Sequence, residues 1–169
     1  MRYLVLFILA ITMSSCIPVS FPPNFRDDGY KVKEAKSFKR NLPEKQAFIF
    51  VDTKDEGDFY DFINTKYELY DFEVNFEVPF RIEGHLHYLS FYEVKKVMTA
   101  VDIFGITDDI IHESHTYYVA LTVMDNESKD CLNSSHPNYA LVIQYLKDLK
   151  QEYLKTTEKS EENSGIKKS

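Results

Sequence analysis

The apolar positions of this chain recur with two different periods, and the switches between them mark its elements. Ala47 to Val51 is an unbroken apolar run closed by Asp52, the pattern of a buried strand. Thr53 to Glu56 then has the Thr-x-x-Glu form of a capping box, which predicts a helix reaching about Tyr70. Phe59, Phe62, Ile63, Tyr67, Leu69 and Tyr70 share one side of that helix, opposite Asp58, Asp61, Asn64, Thr65, Glu68 and Asp71. From Phe72 to Val78 the period drops to two, with Phe72, Val74, Phe76 and Val78 set against Glu73, Asn75 and Glu77. This predicts a half-buried strand or extended edge, interrupted at Pro79.

Phe80–Glu83 and Leu86–Val94 read as two strands turning at Gly84, the second of them inside a sheet. Residues 95–112 fit a helix and a strand equally well. Tyr117–Val123 is again a buried strand, and Asp125–Pro137 is a polar loop holding Cys131. Pro137 suits the first turn of a helix capped by Ser135 or His136 and running to about Leu154. Its apolar face carries Tyr139, Val142, Ile143, Leu146, Leu149 and Tyr153, with Leu141 and Tyr145 at the rim. The order of elements predicts an α+β fold: a mainly antiparallel sheet with two amphipathic helices packed on one face. Residues 46–157 would form this single domain. The polar segment 158–169 would lack structure.

The start of the chain carries a different signal. Arg2 precedes an apolar stretch, Leu4 to Met13, that is about half the ~20 residues a membrane-spanning helix needs. It ends in Met13-Ser14-Ser15-Cys16, which resembles the lipobox of bacterial lipoproteins, although that pattern prefers Leu where Met13 stands. The resemblance covers residues 1–16. It implies a signal peptide over residues 1–15, removed so that Cys16 becomes the first residue and carries the lipid, palmitate included. In that class an Asp after the Cys retains the protein at the inner membrane. Ile17 stands there, so the resemblance implies the outer membrane. Pro18, Pro22 and Pro23 keep the following residues extended, and residues 16–45 read as anchor and tether.

Charge narrows the partners. The 169 residues carry 20 basic and 27 acidic side chains. Loss of Arg2 with the signal leaves 19 against 27, a net charge of −8. Such a surface is a poor match for nucleic acid, whose binding depends on neutralising phosphates. With Cys16 acylated, Cys131 has no disulfide partner in the chain. It reads as a small buried hydrophobe, and the sharper alternative is an intermolecular disulfide or a reactive thiol. The next few residues offer no His to activate it.

Histidines supply the remaining candidate chemistry. His85 and His87 lie two apart, on one face of a strand; His112 and His115 lie three apart, a spacing that suits a helix. With Glu83, Asp108, Asp109 or Glu113 they would make a nitrogen and oxygen ligand set for zinc. The chain has neither a Gly-x-Ser-x-Gly nucleophile turn nor a glycine-rich phosphate loop. The leading expectation is therefore a non-catalytic interaction module of the cell envelope. It would bind another envelope protein through Leu141 and Tyr145. The alternatives are a metal-binding protein or metal-dependent enzyme using the four histidines, and a small-ligand or glycan receptor with Tyr and Phe stacking on sugars.

Overall fold

The computed structural model describes residues 29–101 and 111–164, with the side chains of 98–101, 111–114 and 157–164 outside that description. The signal segment, Cys16 and the first part of the expected tether, residues 17–28, lie outside the described residues. Among the described residues, five strands and three helices follow one another. They are β1 (Tyr30–Glu34), α1 (Ala35–Phe38), β2 (Gln46–Asp52), α2 (Asp58–Tyr67), β3 (Val78–Ile82), β4 (His85–Val101), β5 (Ile111–Asp125) and α3 (Tyr139–Ser164). The strands form one sheet in the order β1-β2-β5-β4-β3, every neighbouring pair antiparallel. The α+β class and the antiparallel sheet are thus as expected; among the described residues the helices number three.

Strand parity sorts the interior into two clusters, because successive side chains leave opposite faces of a sheet. Phe48 and Phe50 of β2, Val119, Leu121 and Val123 of β5, and Leu89 and Phe91 of β4 share one parity through their register. They bury together with Val78 and Phe80 of β3, Phe59 and Ile63 of α2, and Val142, Leu146, Leu149 and Tyr153 of α3. Each such side chain, removed from water, contributes roughly 1.5–3 kcal/mol. The alternate residues Ala47, Ile49, Val94, Tyr118 and Ala120 bury against Ala35, Phe38 and Leu42.

Residues 30–45, expected to be tether, thus supply an edge strand and the cover of the second cluster. Tyr30 stacks on Phe48 with ring centroids 4.4 Å apart, and the Ala35 amide donates to the Lys45 carbonyl at 2.8 Å. The short alternation Tyr30-Lys31-Val32-Lys33 is a strand pattern, and lysines are common on sheet edges, where they discourage pairing with other chains.

Two further expectations are corrected. The Thr53 capping box does not form: α2 begins after Gly57 (φ 95), with no side-chain cap of its own. The Glu93 carboxylate instead reaches over from β4 and accepts the Gly57 amide at 3.1 Å. Nor is Phe72–Val78 a strand before Val78 itself. The α2 helix stops at Tyr67, where Glu68 turns left-handed and the Leu69 amide donates back to the Asn64 carbonyl at 3.0 Å. Tyr70, Asp71, Glu73 and Glu77 are left-handed as well, so the pleat never starts and the alternation does not translate into two faces. Where the undecided region is described it is strand: β4 continues to Val101 and β5 begins at Ile111, while residues 102–110 lie outside the described residues. Helix α3 runs through 158–164, the first part of the expected unstructured tail.

Candidate functional site

The ladder between β4 and β5 decides the histidine reading. His87 pairs with Asp125 at one end, while Val97 pairs with His115 and Ala100 with His112 toward the other. Ten residues of strand at about 3.3 Å each put roughly 33 Å between the two pairs, so the four cannot share an ion. The His112 side chain lies outside the described set, and His115 is an exposed strand residue, not part of a helix. His85 is exposed as well. His87 is buried, 1% exposed, and its Nδ1 lies 2.9 Å from the His85 carbonyl. A carbonyl only accepts, so Nδ1 carries the proton and Nε2 is left with a lone pair. That nitrogen is the buried side-chain polar atom without a hydrogen-bond partner among the described residues.

The Leu141 and Tyr145 patch is also not what the structure presents. Leu141 is exposed, one turn before Tyr145 on α3, but the Tyr145 ring stacks on Phe80 at 4.6 Å. Its hydroxyl shares a hydrogen bond with that of Tyr67 on α2. Tyr145 is therefore half-buried packing, occupied on both sides by partners distant in sequence.

The exposed aromatics lie on the loop that the strand pattern concealed. Between α2 and β3, Tyr70 is 87% exposed, Phe72 71% and Phe76 54%, while Val74 between them is buried. Their backbone is firmly held. Asn64 exchanges two hydrogen bonds with Asp71, at 2.7 and 3.0 Å. The Asn75 carbonyl accepts the Phe91 amide at 3.1 Å, and Ser90 Oγ accepts the Glu77 amide at 3.0 Å. Every charged residue from 68 to 77 is acidic: Glu68, Asp71, Glu73 and Glu77.

A second grouping sits at the end of β5. Past Asp125 the chain doubles back, so that the Cys131 amide donates to the Val123 carbonyl at 2.9 Å. Asp125 Oδ1 accepts the Glu127 and Lys129 amides, both at 2.9 Å, which leaves Oδ2 facing His136 Nε2 at 3.2 Å. Cys131 Sγ lies 3.9 Å from the same nitrogen. On the far side of the ring, Nδ1 accepts the Asn138 amide at 3.2 Å, so the neutral imidazole carries its proton on Nε2. In the sequence His136 stands five positions past Cys131, at a place that suits the helix cap, so only the doubling back of the chain after Asp125 marks it as the thiol's neighbour.

This is not the geometry of a nucleophilic thiol. In a Cys-His-acid relay the acid holds one ring nitrogen and the other takes the thiol proton. Here acid and thiol meet the same protonated nitrogen. Burial pushes the Cys131 thiol up to about 12, with Asp125 and Asp130 adding to the effect, and its side chain is wholly enclosed.

A third polar group lies under the helices. Buried Asp52 accepts the Tyr153 hydroxyl on both oxygens, at 2.9 and 3.0 Å, and the Lys54 amide at 3.0 Å. Burial raises its carboxyl above the usual range despite these donors. Lys54 reaches the Tyr153 carbonyl and lies 4.0 Å from the centre of that ring. Beside it, an open cleft of about 640 Å³ is lined by Asp58, Asp61, Phe62, Lys66 and Glu152. Charged walls with Phe62 as the one aromatic offer little of the stacking platform a sugar receptor needs.

Comparison with protein-family models, with curated proteins and with solved structures gives no match. No helix among the described residues is long and apolar enough to cross a membrane.

Proposed function

We propose that this chain is a lipid-anchored, non-catalytic interaction module of the bacterial cell envelope, whose binding surface is the loop between α2 and β3. Cys16 holds it to the membrane, and Ile17 assigns it to the outer one. Helices α2 and α3 form a single layer over one face of the sheet, and the loop leaves that layer at the end of α2.

One observation carries the reading: Tyr70, Phe72 and Phe76 are held in solvent by a backbone that takes the left-handed region at five non-glycine residues, Glu68 to Glu77. Each left-handed residue costs roughly 1–2 kcal/mol, and strain of this kind collects where a surface has work to do. A pinned loop also loses little entropy when it docks, and exposed aromatics are the residue type that anchors protein interfaces. The four acidic residues among them select a basic protein surface with apolar pockets. They oppose approach to an anionic lipid surface.

The test is cross-linking capture from the native envelope by the full lipidated protein and by a Tyr70→Ser/Phe72→Ser/Phe76→Ser variant. The variant is expected to keep its thermal stability and membrane attachment and to lose the partner. Raised salt should weaken capture by the wild type. The same partner captured equally by both proteins would overturn the assignment to this loop. In parallel, Cys16→Ser should move the protein from the membrane fraction to the soluble one.

A further inference from the structure

We infer that Asp125, Cys131 and His136 form a binding site for a divalent metal ion of the zinc class. Their ligand atoms all lie within 4.8 Å of one another. Around a tetrahedral ion bonded at about 2.0–2.3 Å, ligand atoms stand roughly 3.2–3.7 Å apart. The Oδ2 to Nε2 distance of 3.2 Å and the Nε2 to Sγ distance of 3.9 Å are close to those edges. Convergence of acid and thiol on one ring nitrogen disqualifies a catalytic relay, yet it is what a shared ion requires. The mixture of thiolate, imidazole and carboxylate suits zinc, which accepts all three, better than calcium or magnesium.

The three ligands are also placed in advance. Two backbone amides fix Asp125 Oδ1 and leave Oδ2 available; the Cys131 amide is tied to Val123, and the His136 amide to the Asn133 carbonyl at 2.9 Å. His136 and Asp125 retain 7% and 16% side-chain exposure, enough for an ion to enter from solvent. One strand over lies another buried histidine. His87 is the register partner of Asp125, so its side chain leaves the same face of the sheet. It is buried with Nδ1–H on a backbone carbonyl and Nε2 unshared, the tautomer that metal-ligating histidines adopt.

Binding needs two proton movements and no redox partner. The Cys131 thiol proton leaves to solvent as the sulfur–metal bond forms. The His136 proton moves from Nε2 to Nδ1, which opens the 3.2 Å contact from Asn138. Asp125 enters as the carboxylate whose Oδ1 already holds the Glu127 and Lys129 amides.

The experiment is titration of the metal-stripped full chain with Zn²⁺, and with Co²⁺ as a spectroscopic probe. One ion per chain is expected, with a thiolate-to-cobalt charge-transfer band in the near ultraviolet. Cys131→Ser should abolish the band and, like His136→Ala, weaken zinc at least a hundredfold; Cys131→Ser is nearly isosteric, and circular dichroism checks that both variants fold. Less than stoichiometric zinc at micromolar concentration, or the same affinity in both variants, would overturn the site.

Discussion

At the scale of single residues, the informative groups are carboxylates placed where water is scarce. Glu93 is the clearest. It sits on β4, half-buried, and accepts the amide of Gly57, the residue just before α2. Burial lifts its carboxyl above the ordinary 4.5, the Gly57 amide pulls the other way, and Asp52, Glu56 and Asp58 reinforce the rise. A raised value means that the folded chain holds this proton more tightly than the unfolded one. The stabilisation is complete below pH about 4.5 and is lost as pH rises through the folded value. Glu93→Gln keeps an oxygen for Gly57 and removes the ionisation. The variant should melt above the wild type at neutral pH, and the gap should close toward pH 4. Thermal unfolding across that range checks it, and a gap independent of pH would refute the account. None of this was legible in the sequence, where Glu93 and Gly57 are 36 positions apart. The same distance problem hid the fate of Tyr145, whose helical spacing put it correctly at the rim of α3. Its two ring partners come from β3 and α2.

At the scale of elements, periodicity worked where backbone and side-chain patterns agree. The run Ala47–Val51 became β2, Tyr117–Val123 became the centre of β5, and the apolar stripe from Val142 to Tyr153 became the buried side of α3. It failed from Phe72 to Val78, because alternation reports two faces only when every residue stays extended, and four residues from Tyr70 to Glu77 do not. No glycine in that stretch advertised the left-handed turns. The hairpin at Gly84 was legible for the opposite reason. Ile82 pairs with His85 across a two-residue turn in which Glu83 and Gly84 have φ of 50° and 84°. Positive φ at both central positions is the type I′ pattern, for which Asn-Gly is the preferred pair. Glu83→Asn should therefore stabilise the protein by about 0.5–1 kcal/mol, since Asn tolerates the left-handed region better than Glu. A denaturant midpoint shifted upward at unchanged slope is the expected readout.

At the scale of the whole molecule, the sheet order determines which parts of the chain can be removed. β2 is joined to β5, a non-sequential neighbour, and its other edge is closed by β1. Below the sheet, Ala47, Ile49, Tyr118 and Ala120 are covered by Ala35, Phe38 and Leu42. A domain boundary at 46, natural from the composition of the tether, would cut through this arrangement. It would bare the hydrogen-bonding edge of β2 and unroof the second cluster at once, and an open apolar edge invites self-association. A chain starting at Gln46 should unfold without a sharp transition or aggregate, whereas one starting at Gly29 should unfold cooperatively. Phe38→Ala isolates the packing contribution, because Phe38 meets Tyr118 edge-to-face at 5.2 Å and is almost fully buried. Loss of a buried phenylalanine costs about 3–5 kcal/mol, and a site near the chain's edge that can partly collapse should fall at the lower end. Urea unfolding of the three proteins provides the comparison. If the Gln46 chain matched the Gly29 chain, residues 29–45 would be a tether lying on the domain. If it failed and Phe38→Ala lost about 3 kcal/mol, they would be part of the folding unit, and any lipid-linked spacer would have to end before Gly29.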